Sequence, residues 1–352
     1  MRRNACSPEA RRGVGAWRLM IVAGASLGCL LLTSCGGTQA ASTDGSTTQA
    51  AVAVEEVRLV DVPGGGLALY PQIIAAQQAG FFKENNLEVA RTDSNTSSNA
   101  IQLLITGNAD IATVTPDLAI QAIGKGGDLV VLAATATEAP YYLESRDKFD
   151  DPKDFAGKKL GVPQLTGTAT FLARVALGKA GVPQGSYELI VTGQATQRLT
   201  AMSAGAVDAT MLPAPLNFNA EGQGFNRMMY IGDAVDAPGA VLVATRSFVE
   251  SHRAATVSFL KAFLEARAWL YDPANRDKFL TAVAADSMGK GISKEQLDKT
   301  YDEFIVKRQI NPPVGEVDLS TLAETMVEYG EMPSVPDVDK MIDNSLLDEA
   351  RK

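Results

Sequence analysis

The chain has 352 residues, 46% of them hydrophobic, with 32 basic against 41 acidic side chains, one histidine and a formal net charge of −9. An acidic balance of this size opposes binding to a polyanion, so nucleic acid is excluded as a partner. One histidine and three cysteines leave too few donors for a multi-histidine or cysteine-cluster metal site, and no metal or cofactor is expected.

The N-terminus carries Arg2, Arg3, Arg11, Arg12 and Arg18, then an uncharged apolar run over 19–32 closed by the small residues Thr33 and Ser34. That run is too short to span a membrane and has the layout of a secretion signal. Leu32-Thr33-Ser34-Cys35 resembles a bacterial lipoprotein signal, in which a leucine and two small residues precede the cysteine that is acylated and becomes the first residue. The resemblance implies removal of 1–34, lipidation of Cys35 (palmitate among the acyl chains) and export to the outer face of the cell membrane or the periplasm. Each buried CH₂ of an acyl chain holds to the bilayer by about 0.8 kcal/mol, so several chains give a lasting anchor. Processing takes away Cys6, Cys29, five arginines and one glutamate, leaving 318 residues with 27 basic and 40 acidic side chains, net −13. Residues 35–53 then form a flexible tether: 36–51 is Gly, Ser, Thr, Gln and Ala with Asp44 as its single charge. No later apolar stretch reaches spanning length.

From residue 54 short β-rich runs alternate with helical stretches. Residues 57–60 read as a strand, Gly64-Gly65-Gly66 opens a loop, and 69–79 has helical spacing that stops at Gly80. Residues 87–90 read as a second strand. Positions 95–98 supply N-cap chemistry for a helix with the stripe Ile101, Leu104 and Ile105, closed by Gly107, and 109–114 is a third strand. An extended stretch, 129–144, holds two strand-like pieces around 135–140. The pattern then repeats, with strands at 158–162, 188–191 and 207–212 and helices at 167–179 and 195–204. A second extended stretch, 228–245, precedes helices at 257–271, 276–285, 294–304 and 319–329. The fold class is therefore α/β, two lobes joined by a two-stretch hinge, each expected to hold a mostly parallel sheet with helices on both faces. Lobe 1 is discontinuous, 54–137 and 238–352; lobe 2 is 138–237. Leu104, Gly107, Asp110 and Pro116 run parallel to Met202, Gly205, Asp208 and the prolines at 213 and 215. Either shared lobe construction or ordinary helix-Gly-Asp-strand punctuation accounts for that echo.

The run from Tyr70 through Ala76, Gly80, Phe81, Phe82, Leu87 and Val89 resembles the opening of substrate-binding proteins of nitrate, sulfonate, taurine and thiamine-pyrimidine ABC importers. Leu104, Gly107 and Asp110 match that family's Leu-x-x-Gly-x-x-Asp segment. Gly157, Lys158, Leu160, Gly161 and Val162 match its Gly-Lys-x-Leu-Gly-Val strand, and 257–263 echoes its C-terminal half. The resemblance covers roughly 57–350 and lies in the order and spacing of motifs. It implies a type II periplasmic-binding-protein fold, a small-molecule ligand held between the lobes, and a permease with its ATPase as partners of a monomeric receptor. A membrane-anchored sensor or adhesion lipoprotein with the same fold is the alternative.

Ligands of open α/β sheets sit outside the carboxyl ends of the strands. The loops there place Gly64, Gly65, Leu67, Tyr70, Asn95, Thr96, Ser97, Thr115, Pro116, Thr135, Thr166, Gly167, Thr168 and Pro213 as candidate ligand contacts. The Ser, Thr and Asn residues among them serve equally as caps of their own helices, and Tyr70, Tyr141 and Phe171 as core or as stacking platforms. None of these loops carries a charged side chain, which points to a neutral or singly anionic ligand, and Arg91 and Arg198 are read as solvated ion-pair residues. His252, in Ser251-His252-Arg253, reads as a surface or capping residue. There is no GxSxG elbow and Gly64-Gly65-Gly66 lacks a phosphate-loop context, so no catalytic residue is assigned and the chain is read as a non-enzyme. Cys35→Ala is expected to give protein that no longer partitions with membranes; freely soluble, unmodified wild-type protein would remove the anchor.

Overall fold

Runs rich in Val, Leu and Ile build the strands, and capped segments between them build the helices, in the computed structural model, which describes residues 54–62, 66–311 and 317–352. The signal, the tether, Cys35, Gly64 and Gly65 lie outside the described residues. In the first part of the chain β1 (Glu55–Asp61) leads through α1 (Pro71–Ala79) and α2 (Phe81–Glu84) to β2 (Leu87–Asp93). Then follow α3 (Ser97–Ile105), β3 (Ile111–Val114), α4 (Pro116–Gly124) and β4 (Leu129–Ala136). The middle part comprises β5 (Tyr141–Ser145), β6 (Lys159–Val162), α5 (Thr168–Lys179), β7 (Glu188–Val191), α6 (Ala195–Ser203) and β8 (Ala209–Pro213). It closes with α7 (Leu216–Gly222), β9 (Asn226–Tyr230) and α8 (Ile231–Ala234). After β10 (Ala240–Thr245) come α9 (Arg246–Ser251), α10 (Arg253–Tyr271), α11 (Arg276–Ala285), α12 (Lys294–Tyr301), α13 (Ser320–Glu328) and α14 (Ser345–Ala350).

The strands form two five-stranded sheets, ordered β2-β1-β3-β10-β4 and β7-β6-β8-β5-β9. In the first, β1 pairs parallel with β2 and β3, while β10 runs antiparallel to β3 and β4. The second repeats this: β6 is parallel to β7 and β8, and β5 is antiparallel to β8 and β9. Four strands of each sheet thus run in one direction, as expected of mostly parallel sheets, and a single antiparallel strand, β10 or β5, makes each sheet mixed. A chain that leaves one sheet at its carboxyl edge and crosses by a short link enters the other sheet at the facing edge, and must then run against its neighbours. β3 and β10, covered on both faces, are apolar almost throughout.

The sequence echo has a structural counterpart. Asp110, before β3, receives a bond at its Oδ2 from the Arg58 amide (2.8 Å) and gives its own amide to the Arg58 carbonyl (2.9 Å). Asp208, before β8, makes the same pair with Lys159, at 2.8 Å each way. In both lobes an aspartate thus ties the start of one strand to its parallel neighbour.

Several helices, α2, α4, α7, α8 and α14 among them, are absent from the sequence reading. α4 begins at Pro116 and α7 directly after Pro215; proline is well tolerated at a helix start because the first amides have no helical partner. α14 and the short α8 carry too few turns for a periodic signal. Residues 302–307, expected to end an α-helix at 304, form a π-helical turn.

Two segments cross between the sheets, β4 to β5 and β9 to β10, and they touch. The Gly239 amide donates to the Ala136 carbonyl at 2.9 Å. A side chain at Gly239 would meet the Glu138 carbonyl at 2.4 Å and Leu69 Cδ2 at 2.6 Å, so only glycine fits. Around this crossing the Tyr142 hydroxyl donates to Glu303 (2.7 Å), the Tyr230 hydroxyl to Glu138 (2.8 Å), and the Arg308 guanidinium lies over the Tyr230 ring. Among the described residues no helix is long and apolar enough to cross a membrane. Gly239→Val is expected to lower the urea midpoint by the equivalent of about 1–3 kcal/mol, the usual penalty of overpacking. Gly222→Ala, whose added methyl meets open space, is the control and should be neutral or slightly stabilising.

Candidate functional site

A cavity of about 540 Å³ lies where the carboxyl ends of all six parallel-paired strands converge. β1 contributes Val62, β2 the loop Asn95 to Ser98, and β3 Thr115; β6 contributes Pro163, Gln164 and Thr166 to Ala169, β7 Gln194 and Ala195, and β8 Pro213. Four of these segments are also the N-terminal ends of α3, α4, α5 and α6. Helix N-termini present unpaired amides and the positive end of the helix dipole.

Nine of the sequence-derived candidates line this cavity: Tyr70, Asn95, Thr96, Ser97, Thr115, Thr166, Gly167, Thr168 and Pro213. Capping and lining are not exclusive. Thr96 Oγ1 accepts the Asn99 amide (3.2 Å) and Ser97 Oγ accepts the Thr115 amide (3.1 Å), yet both residues face the cavity. Three candidates do not line it. Leu67 belongs to an adjoining apolar groove with Leu216, Met288 and Ile292. Pro116 stands behind the wall beside Phe171. Thr135 is fully buried; its carbonyl accepts from Gln72 (2.8 Å) and Asn311 (2.9 Å) and its hydroxyl donates to the Ala240 carbonyl (3.3 Å). All three are buried, which chain position alone does not reveal.

Tyr141 joins Tyr70 at the cavity, whereas Phe171 packs edge-on against Tyr329. Burial raises both phenols, Tyr70 well above its ordinary value and Tyr141 to about 12, so both remain neutral donors.

Arg198 is the residue that sequence reasoning misjudged. It is 5% exposed, lies in the first turn of α6 and lines the cavity. Its Nη1 donates to the Gly193 carbonyl (3.0 Å), its Nη2 to the Met211 carbonyl (2.7 Å), and its Nε to Thr210 Oγ1 (3.1 Å) and, at 3.3 Å, to Met211. No carboxylate pairs with it among the described residues, so the expected solvated ion pair is absent. Burial pushes its pKa down to about 10, which leaves it charged at neutral pH. Arg91 does form ion pairs, with Asp61 (2.9 Å) and Asp286 (2.7 Å), but they are largely buried instead of solvated, and Arg91 lies outside the cavity lining. The signal available for Arg198 was its place one turn into a helix that follows directly on a strand and the Gly193-Gln194 turn.

Two carboxylates belong to the surroundings. Glu331 reaches the cavity edge from beyond α13 and is paired with Arg174 at 2.9 Å. Asp117, behind the wall, accepts the Thr168 hydroxyl at both oxygens, 2.9 and 2.8 Å, and Thr168 Oγ1 lies 2.9 Å from Thr115 Oγ1. Burial raises the Asp117 carboxyl, and bonds from Thr168, Thr115 and the first-turn amides oppose that rise. Among the described residues neither Arg198 in the lining nor Asp117 behind it has an ion-pair partner, so the lining itself presents the positive charge of Arg198, and the positive ends of the helices point the same way.

His252 is exposed, stacks on Phe248 with ring centroids 4.8 Å apart, and its Nδ1 lies 2.8 Å from Ser251 Oγ. That pair is not part of the cavity lining. Among the described residues no group of three or more His, Cys, Asp or Glu side chains could hold a metal ion.

Comparison with known proteins gives one family match and several distant relatives. A family profile described as NMT1/THI5 like matches residues 70–275. The protein YtlA of Bacillus subtilis strain 168 is 21% identical over 295 residues, spanning 80% of this chain and 86% of that protein. The periplasmic aliphatic sulphonate binding protein SsuA of Escherichia coli superposes with a TM-score of 0.67 at 17% identity, covering 83% of this chain and 99% of that one. The periplasmic nitrate-binding protein NrtA of Synechocystis PCC 6803 gives 0.67 at 16% identity, covering 84% and 88%. At these identities the structural likeness establishes the fold, two α/β lobes of the type II periplasmic-binding-protein architecture.

Arg198→Met should weaken an anionic occupant of the cavity by about 1.5–3 kcal/mol, the worth of a hydrogen bond to a charged group. A neutral occupant should lose little. Titration calorimetry with an acid and its matched amide checks this.

Proposed function

We propose, from the fact that the chain belongs to the NMT1/THI5 like family, that it is an exported, lipid-anchored solute-binding protein that captures a small singly charged anion between its lobes and delivers it to an ABC importer. The observation that carries this reading is Arg198, a buried guanidinium at the cavity wall held by carbonyls and a hydroxyl and, among the described residues, by no carboxylate. A cation so placed keeps its field for an occupant, and the positive ends of the helices that start at the cavity face the same space.

The relatives are consistent with that charge, since the Escherichia coli and Synechocystis proteins are described as binding an aliphatic sulphonate and nitrate. Cavities of about 300–1,000 Å³ take organic ligands, and nitrate would fill a small part of about 540 Å³. A sulfonate or carboxylate with an organic body is therefore favoured. Membership of the family supports a protein that works by binding and release, and its lone histidine stands outside the cavity lining. Closure is assigned to lobe 1, 54–137 with 238–352, against lobe 2, 138–237, a division supported by membership of the two sheets. The partners are the permease and its ATPase, approached by a monomer whose tether at Cys35 raises effective concentration without adding contacts.

A melting-temperature screen over sulfonates, nitrate, aromatic carboxylates and neutral pyrimidines tests the ligand class. A true ligand at a hundredfold excess over Kd should stabilise by about 2.7 kcal/mol. A shift with pyrimidines and none with any anion would overturn the anion reading.

A further inference from the structure

The polar wall formed by Thr115 and Thr168 has a direction, and Asp117 sets it. Asp117 occupies the second position of α4 in lobe 1, is 3% exposed and stands behind the lining. Thr168 opens α5 in lobe 2 and Thr115 caps α4; both line the cavity. The three groups form one chain, Thr115 Oγ1 to Thr168 Oγ1 at 2.9 Å and Thr168 Oγ1 to the two Asp117 oxygens at 2.9 and 2.8 Å. A carboxylate can only accept, so the single Thr168 proton is committed to Asp117. Thr168 is then left as acceptor toward Thr115, whose proton is committed in turn. What Thr115 shows the cavity is lone pairs alone.

We propose that Asp117 is a positioning residue for ligand specificity: by polarising the Thr168 and Thr115 hydroxyls toward itself, it makes this wall an acceptor that selects anions carrying a hydrogen-bond donor, such as a hydroxyl, amide or ammonium group. The proposal rests on the anion reading of Arg198 and refines it. A ligand whose second polar group can only accept would face Thr115 lone pair to lone pair and leave both groups unpaired in a site from which water is displaced.

Isomeric ligands isolate this effect from size. 3-Hydroxypropanesulfonate and 2-methoxyethanesulfonate share composition and charge but differ in having or lacking a donor, and 4-hydroxybutanesulfonate and 3-methoxypropanesulfonate repeat the contrast one methylene longer. Butanesulfonate reports the anion contact alone. Calorimetric Kd values on the full mature chain should favour a hydroxyl isomer by about 5- to 100-fold, the range expected for leaving buried polar groups unpaired. In Asp117→Asn, whose amide can donate to Thr168 and reverse the chain, that ratio should fall toward one, while loss of the buried negative charge raises the affinity for every sulfonate, butanesulfonate included. Thr115→Val removes the presented oxygen, and with it one hydroxyl near Asp117, while keeping the Thr168 bond to Asp117; it should give the same loss, so the test stands even if Asp117→Asn does not fold. Equal affinity of the isomers for wild type at both lengths, or an unaltered ratio in either folded variant, overturns the role of Asp117 while butanesulfonate binding keeps the anion reading. Failure of all five sulfonates to bind wild type overturns both.

Discussion

The double crossing of the chain is the constraint on which the rest of the structure depends. After β4 the chain passes over and lays β5 between β8 and β9; after β9 it returns and lays β10 between β3 and β4. Each sheet therefore has, next to its centre, a strand that arrived from the other lobe. Neither sheet is complete until both crossings are made, which couples the folding of two lobes that look separable in the sequence. The cost falls on the crossing itself, where two backbones and Leu69 must fit around Gly239.

The crossings also fix where chemistry can occur. Because each link is short, both sheets present their parallel carboxyl edges to the same space, and the helices that follow those strands start there. Helix starts are rich in unpaired amides, so the fold by itself produces a donor-lined cavity. Arg198 turns that tendency into a net charge. Its guanidinium is satisfied by the Gly193 and Met211 carbonyls and Thr210, an arrangement that offsets the cost of burial without cancelling the positive field. Arg91 shows the opposite solution: two aspartates neutralise it and it serves the scaffold.

Across the cavity the polar groups follow another logic. The contact from Thr168 to Asp117 joins helix starts of the two lobes, so it holds the lobes together and orients a wall at once. A further strap lies at the rim, where Arg174 on α5 meets Glu331 and the Tyr329 carbonyl from the far end of the chain. Lobe contact and ligand contact thus share elements, and motion of the lobes relative to one another must change the site.

Alternation of strand and helix, Gly-terminated helices and the paired Asp110 and Asp208 segments were legible in the sequence because they depend on periodicity and local backbone geometry. The same local signals located the loops that line the cavity, and nine of the named candidates are found there. Leu67, Pro116 and Thr135 were misplaced, and Arg198, Asp117 and Glu331 missed or misread, for a common reason. Whether a side chain faces a cavity, a core or a counter-charge is decided by tertiary packing, as the separations of 51 between Thr168 and Asp117 and 157 between Arg174 and Glu331 illustrate, and even Arg198, whose partners Gly193, Thr210 and Met211 are near in sequence, meets them only because α6 packs on β8. The sequence by itself determined the element types, the two-lobed α/β plan and the export signature, all set by short-range pattern. Only the tertiary structure decided the mixed sheets, the positive charge of Arg198 at the wall and the direction of its hydroxyls, because these arise where the crossing strands bring distant segments together.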